Sequence, residues 1–397
     1  MRTLQRRNDL SMKSCSTYFF FLLLLLSQHF AFSQKLQNRE LLVFPKNFEV
    51  KHKCIFENDK PFLVIAVPAY NYRLSLKAYS EYPGKAQLLW QSEPEFRDSV
   101  SEIRHLIPLD LTNIEFALEI KIINSNNQLL YQDIAYVSAS DVNTQIYLCD
   151  INNVPLLDNY LKGEDFFKIS HNKEGVLKFH LSYFPDPAAP APAPASANNG
   201  FFNPEKDKAQ QHFTVNRGRE IKLSEKGIFY VQVDTNSGDG IFTAYYGEDF
   251  PSLSNVAELV LATRYITKNE EYNKMTSAAN MKAALDEYWL SRNKNEQEAK
   301  RLISLYYNRM KEANRRFSYA KEGWKTDMGM IFTIFGKPQI VRKYEDKTIW
   351  YYSHSNGRDP VEFVFQKLKG QYLLERSSYL KEPWNAEIIK WRLGKAN

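Results

Sequence analysis

Apolar and polar residues change their spacing twice along this chain of 397 residues. From Gln34 to about Val142 the runs are short. “PFLVIAVPAY”, “YRLSLKAYS”, “AQLLWQS” and “IEFALEIKIIN” are rich in β-branched and aromatic residues, partly alternating, and are broken by Pro, Gly and Asn. That pattern predicts strands. “NSNNQ” (Asn124 to Gln128) predicts a hairpin turn ahead of “LLYQDIAYV”, and the regular spacing predicts a β-sandwich over 34–142. A second β-rich unit is expected over 143–250, where “REIKLSEKGIFYVQVD” and “GIFTAYYGED” flank the turn “TNSGDG”. Inside it, “PDPAAPAPAPASANNG” (185–200) is low-complexity sequence that favours extended polyproline geometry. It is expected to be an exposed loop or spacer.

Beyond residue 250 the period lengthens. “TKNE” (Thr267 to Glu270) reads as a capping box. Met281, Leu285, Tyr288 and Trp289 mark one apolar face after Asn280, and Ala299, Leu302, Ile303, Tyr306, Met310, Ala313 and Phe317 trace the stripe of a longer helix. Lys300, Arg301, Arg309, Lys311, Arg315 and Arg316 fall mainly off that stripe, as a solvated face would. After Pro338, “KTIWYYSHS”, “PVEFVFQK” and “QYLLERSS” predict an antiparallel meander. The fold class expected is multidomain: two β-sandwich-like domains, then an α+β domain over 251–397.

Between helix and meander lies “GWKTDMGMIFTIFGKP”, Gly323 to Pro338. Gly323 is expected to stop the long helix in a left-handed conformation. Trp324 should bury its ring and offer its indole N–H to a carbonyl. Thr326 and Asp327 are both capping residues. For 328–335, the caps, the Gly-Pro stop and Met328, Ile331, Phe332 and Phe335 on one face favour a helix, whereas the Ile, Phe and Thr content favours a buried strand. The balance tips to helix.

The first 33 residues read differently. Lys13, the apolar run Tyr18 to Leu26 and “AFS” (Ala31 to Ser33) have the form of a secretory signal peptide cut before Gln34. The run is too short to span a bilayer. Of the formal charge of +6, this leader carries +3, which leaves little for the mature chain. With no basic stripe, nucleic acid is not an expected partner. Cys54 and Cys149 remain after cleavage, either as one long-range bridge or as two buried thiols. No zinc spacing, phosphate-cradling glycine loop, GxSxG or HExxH is present, so no metal or cofactor is expected. “DTNSGDG” (Asp234 to Gly240) has calcium-loop character, but Tyr245 stands where the twelfth-position acid belongs, and a hairpin turn is expected instead.

Gly323, Trp324, Thr326 and Asp327, followed by “IFTIFGKP”, “IWYY” (Ile349 to Tyr352) and “FVF” (Phe363 to Phe365), resemble the GWxTD-domain family of exported bacterial proteins. The resemblance runs upstream through “ELVLATRYIT”, “EEYNKM” and “LDEYWLSR” and covers the chain from about Phe250 to the end. Gln339 stands where members usually place an acid. The resemblance implies an envelope protein and supplies no reaction. The expectation is a non-catalytic protein-interaction or assembly module in the periplasm or at the outer membrane. Trp324, Thr326, Asp327, Trp350 and Tyr351 are its candidate binding residues, with Trp384 and Trp391 as further groove-forming aromatics. The alternative is an envelope hydrolase acting on peptidoglycan or peptide through Asp327 and His354.

Overall fold

The architecture is seen in a computed structural model. It describes residues 50–396 except 58–59, 68–70, 81–86, 97–102, 112–114, 138–144, 163–165, 186–188, 198–201, 293–294 and 354–358. The expected signal peptide and His354 lie outside these residues.

The alternating runs of the first unit form eight strands. They are β1 (Lys51–Glu57), β2 (Lys60–Val67), β3 (Tyr72–Tyr79), β4 (Leu88–Ser92), β5 (Glu95–Phe96), β6 (Ile103–Pro108), β7 (Phe116–Asn124) and β8 (Leu129–Val137). One sheet is ordered β1-β2-β6; the other is β4-β3-β7-β8, with β5 beside β3. Side chains alternate across a strand, so Leu63 and Ile65 of β2 meet Leu74 and Leu76 of β3 and Leu118 and Ile120 of β7 in one core. The expected turn closes β7 onto β8. Asn124 Oδ1 accepts from the amides of Asn126 and Gln128 at 3.0 and 2.9 Å, and Asn127 takes φ 59°, which Asn tolerates.

The second unit holds β9 (Ile146–Cys149), β10 (Tyr160–Leu161), β11 (Lys168–His171), β12 (Lys178–Pro185), β13 (Gln211–Asn216), β14 (Gly227–Gln232) and β15 (Ile241–Tyr245). Its main sheet is ordered β10-β15-β14-β12-β13, and β9 pairs with β11. All of β14 is buried, because its two faces serve two cores. Phe229 and Val231 point into the second unit, while Ile228 and Tyr230 pack with Phe242 of β15 and with Ala320 and Tyr319 of the third. Cys54 and Cys149 are free thiols, and burial pushes the Cys149 thiol up to about 11.

The third unit begins with helices α1 (Val256–Ala262), α2 (Asn269–Thr276), α3 (Met281–Leu290) and α4 (Glu296–Phe317). The capping box of α2 sits one residue later than expected. Glu271 reaches back to the Lys268 amide at 2.8 Å, and the Thr267 hydroxyl instead donates to the Thr263 carbonyl at 3.0 Å. The stripe of α4 is buried as its period predicts, through Ala299, Leu302, Tyr306, Met310 and Ala313. Arg309 departs from the expected solvated face. It donates to the carbonyls of Thr333 and Ile334 at 3.2 and 3.0 Å, which closes the end of α5 (Asp327–Phe335). Residues 328–335 are therefore a helix, buried nearly all round, ending at Gly336 with φ 80°.

Strands β16 (Ile340–Lys343), β17 (Lys347–Tyr352), β18 (Val361–Leu368) and β19 (Gln371–Leu374) follow in meander order, one strand more than the three predicted. Helix α6 (Lys381–Arg392) was not foreseen. It returns Trp391 to the core, where its indole donates to the Ile334 carbonyl at 3.0 Å, and it buries Trp384. Both rings pack inside the domain rather than lining a groove. Among the described residues no helix is long and apolar enough to cross a membrane.

A charged knot ties the third unit to the first. The Lys343 ammonium lies 2.6 and 2.8 Å from the two Asp133 oxygens, and His52 and Tyr131 bond the same carboxylate at 2.9 and 3.0 Å. Burial alone would raise the Asp133 pKa. The Lys343 charge and the His52 bond outweigh it and hold the carboxyl well below its usual range.

Candidate functional site

Glycine explains the start of the Gly323–Pro338 segment, though not through a left-handed turn: Gly323 does not take a positive φ. A Cβ on Gly323 would run into the Ala313 carbonyl and Asn314 Cα of α4, and one on Gly329 would run into the Gly323 carbonyl. Three backbones, those of α4, the 3₁₀ turn Gly323–Lys325 and α5, are thus stacked without side chains between them. Polar groups inside the stack are paired. Asn314 accepts from the Trp324 amide at 3.0 Å and donates to the Pro251 carbonyl at 2.9 Å, and Ser318 Oγ accepts from the Gly323 amide at 2.8 Å. Thr326 caps α5 as expected, accepting from the Gly329 amide at 2.9 Å and donating to the Gly323 carbonyl at 2.7 Å.

Trp324 is fully buried, and its indole N–H meets a carboxylate rather than a carbonyl: Glu322 Oε2, at 2.7 Å. Glu322 Oε1 also pairs with Lys325 at 2.8 Å, and the Tyr265 hydroxyl donates to the Trp324 carbonyl at 2.9 Å.

Asp327 does not cap the helix. It is the first residue of α5, and its carboxylate crosses to the end of the sheet. Oδ2 accepts from the Leu374 amide at 2.9 Å, and Oδ1 pairs with the Arg376 guanidinium. Burial pushes the Asp327 pKa up and the Arg376 pKa down, while their mutual attraction pulls both the other way.

Arg376 has a second task. Its Nη1 donates to the carbonyls of Pro192 and Ala193 at 2.6 and 2.8 Å, and the Ala191 amide donates to the Lys325 carbonyl at 3.0 Å. Within the Pro/Ala segment expected to be an exposed loop or spacer, residues 191–193 are therefore docked on the Gly323–Asp327 turn, with Ala191 and Pro194 buried. Proline removes backbone donors, which leaves carbonyls open to an outside donor; the Ala193 carbonyl is shared, accepting also from the Ser196 amide at 2.9 Å. Beyond it, Phe202 packs between Phe184 and Phe242, and Gln371 donates to the Phe202 carbonyl at 2.6 Å.

The other candidate residues sit inside the sheet. Trp350 is buried between Phe317 and Phe365, and Tyr351 is buried with its hydroxyl accepting from Arg342 at 3.1 Å. Gln339 accepts from the Ser353 amide at 3.1 Å. A cavity of about 170 Å³ adjoins Asp327, rimmed by Phe317, Tyr319, Thr326, Met328 and Tyr372. The structure thus unites Trp324, Thr326 and Asp327 in one turn and leaves Trp350 and Tyr351 apart from it, in β17. Sequence reasoning missed Asn314, Glu322 and Arg376. Only Asn314 carried a signal, as a polar residue beside the buried stripe of α4.

This arrangement coincides with a family match. The family model of the GWxTD domain matches residues 227–393. The chain carries a GWxTD domain. The match opens at Gly227, the first residue of β14, rather than near Phe250, so the domain takes in the β14–β15 hairpin whose outer face packs on it. The docked Pro/Ala segment lies before the GWxTD domain in sequence. Among curated proteins none matches the chain.

Proposed function

We propose that this chain is an exported cell-envelope protein whose GWxTD domain is a non-catalytic protein-interaction module that holds polypeptide. One observation carries the reading. The acid of the motif is committed to an arginine and a backbone amide, and that arginine grips two backbone carbonyls of the Pro/Ala segment. A general base needs a free oxygen aimed at a substrate proton, whereas both Asp327 oxygens have internal partners. The first 33 residues, with their charged, apolar and small-residue regions, support export.

Two measurements test this. Fractionation with N-terminal sequencing should find the chain in the envelope, beginning at Gln34; an intact leader on cytoplasmic protein refutes export. In-cell cross-linking should capture an envelope protein on the GWxTD domain. Release of fragments from peptidoglycan or peptides by purified protein, lost in an Asp327→Asn variant of unchanged melting temperature, would replace the interaction reading with the hydrolase.

A further inference from the structure

Resting on that reading, we infer that the slot between the Lys325 carbonyl and the Arg376 guanidinium is a binding site for proline- and alanine-rich peptide, and that residues 189–194 fill it in cis as a strap. The occupant and the slot are separate parts. Lys325 and Arg376 belong to the GWxTD domain, while the strap precedes its first residue.

Every polar contact of the strap with the slot is a backbone contact. Two carbonyls enter one guanidinium and one amide meets one carbonyl, so the slot reads conformation and spacing. Side chains enter by size: Ala191 is 6% exposed, so a longer residue would have to displace the groups that cover it. The slot therefore selects a small residue with a free N–H, followed by two residues whose carbonyls reach one guanidinium nitrogen. The Ala193 carbonyl also accepts from the Ser196 amide at 2.9 Å, so a turn follows the run and its first residues present both carbonyls to the guanidinium. Prolines at the neighbouring positions preset that geometry and lower the ordering cost of binding, as in other proline-rich recognition. The run Pro190-Ala191-Pro192-Ala193-Pro194 also repeats every two residues, so an identical ligand group recurs along the strap.

The partner is thus a Pro/Ala-rich segment of another envelope protein, which competes with the strap. A tethered segment competes at an effective concentration of order 1 mM, so the intact chain should bind a free peptide at least about tenfold more weakly than a chain whose strap has been removed.

The test exchanges residues 189–197 for a Gly/Ser stretch of equal length and titrates the full mature chain with fluorescein-labelled PAAPAPAPASA by anisotropy. The exchanged chain should bind, the intact chain at least about tenfold more weakly. A peptide with Ala191→Leu, or with a methyl on the Ala191 nitrogen, should lose the binding. An Ala191→Glu variant, which ejects the strap at native length, provides a second open slot if the exchanged chain fails to fold. Silence in an open-slot protein that melts as a folded chain overturns the inference. Equal binding of a Gly/Ser peptide overturns it too. In either case capture of an envelope partner by cross-linking still upholds the interaction reading, so the two failures are told apart.

Discussion

Replacing Asp327 with Ala separates a helix cap from a buried ionic tie. A capping residue is worth about 1 kcal/mol. Asp327 instead neutralises Arg376, and the two side chains are 5% and 7% exposed. Removing one partner of a buried pair leaves an uncompensated charge and costs about 3–5 kcal/mol. The Leu374 amide loses its acceptor as well. Thr326→Ala supplies the internal scale, since Thr326 is the residue that caps α5. For a domain of this size 1 kcal/mol moves the melting temperature by about 2–4 °C, so Asp327→Ala should lower it by about 6–20 °C and Thr326→Ala by about 2–4 °C. Urea unfolding followed by tryptophan fluorescence, with calorimetry alongside, gives both values. A double variant, Asp327→Ala with Arg376→Met, should recover most of the loss, because an apolar replacement of a buried pair is often near neutral. Equal shifts for Asp327→Ala and Thr326→Ala, or no recovery in the double variant, would refute the ionic tie.

Three further outcomes follow from the geometry. Gly323→Ala should cost at least about 1–3 kcal/mol, the range of overpacking, because the added carbon meets backbone that cannot rotate away; a melting temperature within 1 °C of wild type would be the contrary result. Acid should weaken the knot between the first and third units. A carboxyl held down by folding, as Asp133 is, contributes stability above its unfolded pKa of about 4 and loses it as pH falls further toward the folded value. The stability gap between wild type and Asp133→Asn should therefore be widest near neutrality and shrink from pH 4 to pH 2; a constant gap across that range contradicts it. Cys149, buried and with its thiol pushed up to about 11, should react with a thiol reagent in the native protein much more slowly than half-buried Cys54, and unfolding should equalise the two.

Local signals made much of this fold legible. Alternation placed β2, β3 and β7, a helical stripe placed α4, and the Thr cap with the glycine stop placed α5. The failures have physical causes. Helix α6 packs Trp384 and Trp391 against residues far away in sequence, and no terminal signal marked it beforehand. Gly323 was readable as punctuation, but its need is a close approach to Ala313, which no local rule contains. Asp327 looked like a cap because Thr-Asp before an apolar run is the capping arrangement, yet only Thr326 faces the free amides. Its partner Arg376 lies at the far end of the sheet, and the carbonyls that Arg376 grips are more distant still. Low-complexity Pro/Ala sequence cannot build a core of its own, which hid its ability to be held by someone else's donor.

The long separation between strap and slot also sets an order in time. The bond between Arg376 and Pro192 joins groups 184 residues apart. At about 5–20 residues per second, synthesis leaves the strap without its clamp for about 10–40 s. During that interval strands of the second unit, β12 among them, exist with edges open to any extended neighbour. Alternating prolines withhold every second N–H, and alanine adds little β-propensity, so the waiting segment is a poor strand and cannot knit into those edges. A composition that looks like filler in the finished protein is thus a safeguard for the unfinished one, keeping the strap unpaired until the residue that holds it has been made.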